Sequence, residues 1–458
     1  MKGLFSIAIF GIITLFTGQV YAQANAICGN EVIQQEINND PYLKARMDKY
    51  FEHYQAENAM ASEQSGRAQS KTTGYEKILI PVVFHIILNP SQIAQLGDTS
   101  GIINRINSQL QVINEDFNAV NTDLVAVPAA FQPLVGNAAI SFALAKRDAQ
   151  GKAKLGIVYK TKPGSFTGFP AQDNAVKRDV QGGSNPWDNT KYLNIWITSI
   201  DPPTSGGQIL GYGYNNDYAL QVYGDAALGG IVMHYLTLGR RTSGTQVFYS
   251  PNSEKGRTLT HELGHYFNIW HIWGKASPST SADCDEDDGI DDTPLQGAAN
   301  TACPIGKKNN CTIKPHAGGE MYMNYMDYST DVCTKMFSKG QVDRIRIETA
   351  PGGKVYTLTQ NPHLAFWPND VSAIEYNNKV DISPNPNTGN FNIHFYDKYD
   401  NLHSITIANT IGQVVKQIPV ADQRATNYNI DITGFSKGVY IVQLHFDQGI
   451  ISRKVVVQ

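Results

Sequence analysis

The chain has 458 residues, of which 41% are hydrophobic and 17% charged, an ordinary globular composition with material for two or three domains. Its formal net charge of −4 gives no reason to expect nucleic acid or an anionic membrane surface as a partner. Residues 1–22 read as a Sec-type secretory signal: Lys2, an apolar stretch over 4–16, then Val20-Tyr21-Ala22 before the expected cut. That stretch is too short to span a bilayer, and no later one reaches the necessary length. Export with no membrane span is therefore expected, into surroundings that permit disulfides.

Residues 23–71 are polar and read as a pro-segment that contributes little core. The segment ends in SEQSGRAQSKTTG, a run open to cleavage. A domain is expected over 72–360, with mixed α/β (α+β) architecture. Its core begins at Ile78, where ILIPVVFHIIL reads as a buried strand. An amphipathic helix follows over about 102–118, carrying Ile103, Ile106, Leu110, Ile113 and Phe117 on its apolar face. Strand-like runs come at 139–145 and 192–200, with an edge strand at 229–235. A further helix is expected next, then another over about 255–267. His85 and His234 fall in strands and read as packing residues.

The run HELGHYFNIWH holds His261, Glu262, His265 and His271. Histidines four apart lie on one face of a helix, so His261 and His265 can bind one zinc ion. Six further residues of helix would carry His271 about 240° round the axis from His265. The chain must therefore leave the helix near Asn268 and turn back to supply a third ligand. Such a turn favours positive φ, which glycine tolerates best and asparagine next. Three protein ligands and a fourth position open to water describe a catalytic zinc site; a structural one is closed by four. Glu262 stands where it can take a proton from water held by that ion. Against this chemistry Cys28, in AICGN, acquires a reading as a latency switch. Its thiolate would fill the open position until the pro-segment is removed. An unpaired or intermolecularly bonded cysteine is the alternative.

Downstream, DCDEDDGIDDT carries seven acidic residues in the ten positions before Thr293. Such density can gather oxygen ligands for calcium, with Asp285, Asp288, Asp291 and Thr293 as candidates. An EF-hand register fails, because Gly289 is one place late and Pro294 stands where the bidentate glutamate belongs. Cys284, Cys303, Cys311 and Cys333 cluster between the zinc helix and the segment after it. They suggest two bridges, with three pairings open. A linker is expected over 361–379. Beyond it, residues 380–458 alternate apolar positions with Asn, Gly and Asp clusters, the pattern of a small antiparallel β-sandwich.

The histidine motif resembles the extended zinc signature of the metzincin metallopeptidases, HExxHxxGxxH, with Asn268 in place of the usual glycine. The segment NYMDYSTDVCTKMFSKGQVDRIR, residues 324–346, is similar to the Met-turn region of the pappalysin (cytophagalysin) family. Motif-level resemblance runs from about residue 78 to 347. It implies one catalytic zinc ion, structural calcium near the acidic loop, and bridges Cys284–Cys311 and Cys303–Cys333. It also implies that Met326 lies beneath the metal as an apolar floor. Tyr328, two residues on, would help polarise the substrate carbonyl, unless it is a packing aromatic. Asp331 would stand at the base of the S1′ pocket and favour Arg or Lys at P1′ through a charge-assisted pair. Cleavage before Arg67 or Lys71 could then free the catalytic domain by self-processing. Precursors of this family often begin with a similar Cys-Gly, in line with the switch at Cys28.

The C-terminal unit resembles the sorting domain of Gram-negative type IX secretion, with its SPNPNTG start, GVY hairpin and basic-then-apolar finish. That resemblance implies the type IX machinery as a partner, with a secreted or cell-surface destination. The whole chain reads as a secreted zinc endopeptidase acting on proteins or peptides. A broad-specificity metzincin with a hydrophobic S1′ pocket is one alternative. An exported adhesion protein with a vestigial zinc site is another, but a site that only binds has no use for Glu262.

Overall fold

The computed structural model describes residues 26–52, 75–171, 174–203, 207–274, 284, 287–304, 306–311, 316–367, 380–395, 402–410, 413–420, 425–446 and 449–458. The expected signal peptide, the expected cleavage run with Arg67 and Lys71, and Asp285 lie outside these residues, as does most of the expected linker.

A seven-stranded mixed sheet organises the larger domain. Its strands are β1 (Ala26–Cys28), β2 (Ile78–Leu88), β3 (Ile140–Leu144), β4 (Ile157–Thr161), β5 (Leu193–Thr198), β6 (Gln208–Tyr214) and β7 (Gly230–His234). They lie in the order β1-β6-β7-β5-β2-β3, with β4 also paired to β2. Every pairing is parallel except that of β6 with β7. β2 is apolar along its length because it is an inner strand covered on both faces, where alternation would bury polar groups.

The helices are α1 (Gly29–Asn39), α2 (described over 41–52), α3 (Pro90–Gln95), α4 (Asp98–Phe117), α5 (Asn216–Tyr223), α6 (Arg257–Tyr266) and α7 (Lys339–Thr349). α4 buries Ile102, Ile106, Ile113 and Phe117 in one core with Leu259 and Leu263 of α6. Ile103, expected on that buried face, is 38% exposed. Ile102, four residues before Ile106, continues the stripe instead. His85 is buried as expected, between Ser184 (Nδ1–Oγ 2.8 Å) and Asn194 (Nε2–Oδ1 3.0 Å).

Three further expectations need correction. β7 is not an edge strand, because β6, which was not anticipated, lies outside it and β1 outside that. No α-helix intervenes between β7 and α6; the helix expected there is α5, which precedes β7. The expected pro-segment also contributes more core than its polarity suggests. Val32, Ile33, Ile37, Met47 and Tyr50 are buried in one cluster with Ile209, Tyr212 and Val222. Their apolar positions are too sparse to announce a core without the tyrosine-rich surface they meet.

At the far end, Leu364, placed in the linker by its sequence, is buried against Val83, Ala145 and Tyr192. Arg147 holds this segment by donating to the carbonyls of Phe366 (2.8 Å) and Trp367 (2.7 Å). The C-terminal unit has two antiparallel sheets. Its strands are β8 (Val380–Ser383), β9 (Asn390–Phe395), β10 (Leu402–Asn409), β11 (Val414–Pro419), β12 (Asn427–Asp431), β13 (Gly438–Phe446) and β14 (Gly449–Val457). Sheets β11-β10-β13-β14 and β12-β9-β8 enclose one core that includes Ile382, Phe391, Ile393, Ile407, Val442 and Val455. This is the expected sandwich.

Candidate metal centre

α6 follows Gly256, whose φ of 79° gives the chain its left-handed entry to the helix. The helix ends where the spacing required. Asn268 adopts φ 68°, its N–H donates to the His265 carbonyl (2.9 Å), and the N–H of Ile269 donates to that of Gly264 (2.9 Å). The Asn268 amide is held in turn by Glu348, at 2.9 Å. The chain then doubles back and brings His271 to the other two rings. The three Nε2 atoms lie 3.1, 3.2 and 3.3 Å apart. Ligand nitrogens about 2.0–2.1 Å from a tetrahedral zinc ion would be about 3.3–3.4 Å apart. The donor set therefore fits that ion.

The outward ring nitrogens fix which tautomer faces inward. Nδ1–H of His261 donates to the Tyr325 carbonyl (2.7 Å), and that of His265 to the Ile269 carbonyl (2.9 Å). Carbonyls only accept, so both Nε2 atoms carry lone pairs towards the centre. Burial lowers His261 to about 4 and drives His265 and His271 well below their usual value. All three imidazoles are thus neutral, the form that binds a cation.

Glu262 is 1% exposed, and its side chain lies against β6. A Cβ added to Gly211 would fall 2.9 Å from its Cγ, and one added to Gly213 would fall 3.2 Å from its carbonyl oxygen. These two glycines let the strand and the helix approach closely. Burial pushes the Glu262 carboxyl up to about 8, opposed in part by the Cys28 thiol. Met326 is fully buried with its Sδ against α6, where a Cβ on Gly264 would lie 2.2 Å away. Tyr328 stacks edge-on to His271, with centroids 4.8 Å apart, and to Trp273 at 4.9 Å. Its phenol is pushed well above its usual pKa by burial, then by Cys28, Glu31 and Glu262. It therefore keeps its proton and remains a donor.

The segment expected to be a pro-segment enters this centre. The ligand atoms of Cys28, His261, His265 and His271 all lie within 4.8 Å of one another, and the Cys28 thiol donates to Glu262 Oε2 at 3.7 Å. β1 leads Cys28 in by pairing with β6, with Cys28 opposite Gly211. The Asn30 side chain then makes two hydrogen bonds with the Gly213 backbone, both 3.1 Å, as another strand residue would. Glu31 lies 3.5 Å from Nδ1 of His271, and burial raises it to about 7.

The other expected residues lie further out. Asp331 Oδ2 accepts the N–H groups of Lys255 (3.0 Å) and Arg257 (3.3 Å) at the start of α6, where a negative charge also favours the helix dipole. Asp288 is buried. Its Oδ1 accepts from Ile290 N–H and the Thr293 hydroxyl, while its Oδ2 has no hydrogen-bond partner among the described residues. Asp291 is exposed. Cys284 is bonded to Cys311 and Cys303 to Cys333, each pair with Cα atoms 5.5 Å apart. Sequence reasoning missed Gly211, Gly213, Asn30 and Glu31. Only the glycines left a signal, as paired small residues inside LGYGY.

Residues 176–350 match the family model described as pregnancy-associated plasma protein-A. Residues 381–458 match that of a secretion system C-terminal sorting domain. Mature mirolysin of Tannerella forsythia, solved with a cleaved peptide, is 35% identical, with a TM-score of 0.53. The likeness covers 63% of this chain and 97% of that one. A promirolysin mutant of the same organism is 33% identical over 73% of this chain and 96% of its own, with a TM-score of 0.58. An extracellular metalloprotease of Arthroderma gypseum is 40% identical over 97 residues, which is 21% of this chain. The chain spans only 30% of that curated relative's length.

Proposed function

The chain belongs to the pappalysin family of metallopeptidases, and from that premise we propose that it is a secreted zinc endopeptidase made as a latent precursor. One observation carries the reading: three inward-facing imidazole nitrogens meet beside a buried carboxyl on the same helix turn. A zinc ion bound there supplies a Lewis acid that polarises a carbonyl and acidifies water. Glu262 then accepts the proton of the attacking water and returns it to the leaving amine. Tyr328, a protonated phenol beside His271, donates a hydrogen bond to the developing oxyanion. Met326 fills the space behind α6 and holds the ligands in place. The test is to map cut sites in a denatured protein mixture. New peptide ends should appear with the matured enzyme and vanish with a chelator. Equal cutting in both samples would refute the reading.

In the latent form, Cys28 would supply the fourth ligand to a bound zinc ion and exclude water. Beyond the switch, Arg46 of α2 donates to the carbonyls of Leu220 (2.9 Å) and Gln221 (2.6 Å) at the end of α5. The Tyr50 hydroxyl reaches Asn268 Oδ1 at 3.3 Å. Cleavage before Arg67 or Lys71 would release this clamp.

Asp331 gives the site its preference for Arg or Lys at P1′. Its acid is buried, raised by that burial to about 6 and only partly offset by Arg257. An incoming cationic side chain would stabilise its charged form. Asp331→Asn keeps an oxygen for the two helix N–H groups and removes the charge. In the cut-site map, the Arg/Lys share at P1′ should fall about ten- to a hundredfold. An unchanged share would leave Asp331 as a helix cap alone.

The buried Oδ2 of Asp288, beside Thr293 and with no hydrogen-bond partner among the described residues, supports a structural calcium ion in the acidic loop. The elemental analysis that counts zinc would also count it, and calcium-free protein of full stability would exclude it. The C-terminal sandwich directs the chain to type IX secretion.

A further inference from the structure

We propose that Tyr218 and Trp270 form an aromatic subsite that selects a Phe, Tyr or Trp of the substrate upstream of the scissile bond. The inference rests on the peptidase reading above and adds a second determinant at the opposite end of the cleft from the S1′ assignment.

Tyr218 lies on α5, just beyond the C-terminal end of β6, and Trp270 lies on the ligand turn beside His271. One cavity is lined by both of these residues and by His265 and His271, so the wall they make is continuous with the metal centre. In the latent chain the pro-segment fills that wall with aromatic rings. Tyr50 meets Tyr218 edge to face, with centroids 5.1 Å apart and planes at 83°. Phe51 meets Trp270 likewise, at 5.5 Å and 88°. Tyr50 and Phe51 belong to the segment that maturation removes. Their departure takes one edge-to-face partner from each of these rings, while Tyr218 keeps Tyr214 and Tyr223 beside it, with centroids 5.3 and 6.2 Å away. A side chain of the same chemistry restores what is lost, so a substrate ring is the occupant the wall selects.

The polarity of β6 assigns the side. β1 occupies the β6 edge in parallel register, and the chain runs on from Cys28 towards Gly213 and α5. A substrate replacing it with the more stable antiparallel ladder runs the other way. Its residues before the scissile bond then lie towards Tyr218 and Trp270. At a rise of about 3.3 Å per residue, the selected position falls within about four residues of the cut.

The experiment is cut-site mapping on a denatured proteome with the matured enzyme and its Trp270→Ala, Tyr218→Ala and Tyr218→Phe variants. Wild type should show Phe, Tyr and Trp enriched at one upstream position. That enrichment should fall about three- to tenfold in the alanine variants and persist in Tyr218→Phe, which keeps the ring. Tyr218 sits on a different element from the ligands, so its variants decide the matter should Trp270→Ala perturb His271. No upstream aromatic enrichment in wild type, or equal enrichment in Tyr218→Ala, would overturn the subsite while leaving the peptidase standing. Loss of all chelator-sensitive cutting in wild type would remove both.

Discussion

Replacing Glu262 by Gln is expected to lower kcat of the matured enzyme by about 10²–10⁴-fold, with zinc content and melting temperature unchanged. The amide keeps the volume that fits against Gly211, so the fold should not sense the change. It cannot accept a proton, so the step that converts water to a nucleophile fails. The carboxyl must be ionised to act, so wild-type activity should rise with pH through its pKa. Burial, opposed in part by the Cys28 thiol, sets that value at about 8, and a neighbouring cation lowers it. The acid limb of the profile should therefore lie below 8 and be absent from the residual activity of Glu262→Gln. Steady-state kinetics across pH on both proteins provides the check. A variant within about tenfold of wild type would move the base to another residue.

The second large effect is expected at Cys28. In a precursor whose Arg67 and Lys71 are replaced by alanine, to suppress self-processing, Cys28→Ser should raise peptide hydrolysis about fiftyfold. That corresponds to moving the open form from about one molecule in a hundred to about half. A thiolate is the softer and stronger ligand, whereas serine's hydroxyl keeps its proton and cedes the position to water. Full release is not expected, because Asn30, Arg46 and Tyr50 still hold the segment on β6, α5 and Asn268. Continued latency in this variant would mean that those contacts, and not the sulfur, block the site.

Legibility in the sequence followed the range of the interactions. His261, Glu262 and His265 are set by one helical turn, and the need for a break at Asn268 follows from geometry within six residues of His265. β2 and most of α4 declared themselves through local apolar pattern. β6 did not, since LGYGY places glycines where strand formers are usual. Those glycines make sense only once α6 lies across them. The pro-segment misled for the same reason: the partners of Met47 and Tyr50 lie more than a hundred residues away, on β6 and α5. Asp331 was visible as an acid in a telling place, but its bonds to the start of α6 depend on a fold that brings residue 331 to residue 257.

The most direct test of the central claim is elemental analysis of the matured, folded protein. One zinc ion per chain is predicted for wild type and for Glu262→Gln, and less than about a tenth of that for His265→Ala. Wild-type protein that is folded and free of its pro-segment, yet carries no stoichiometric divalent transition metal, would contradict the account.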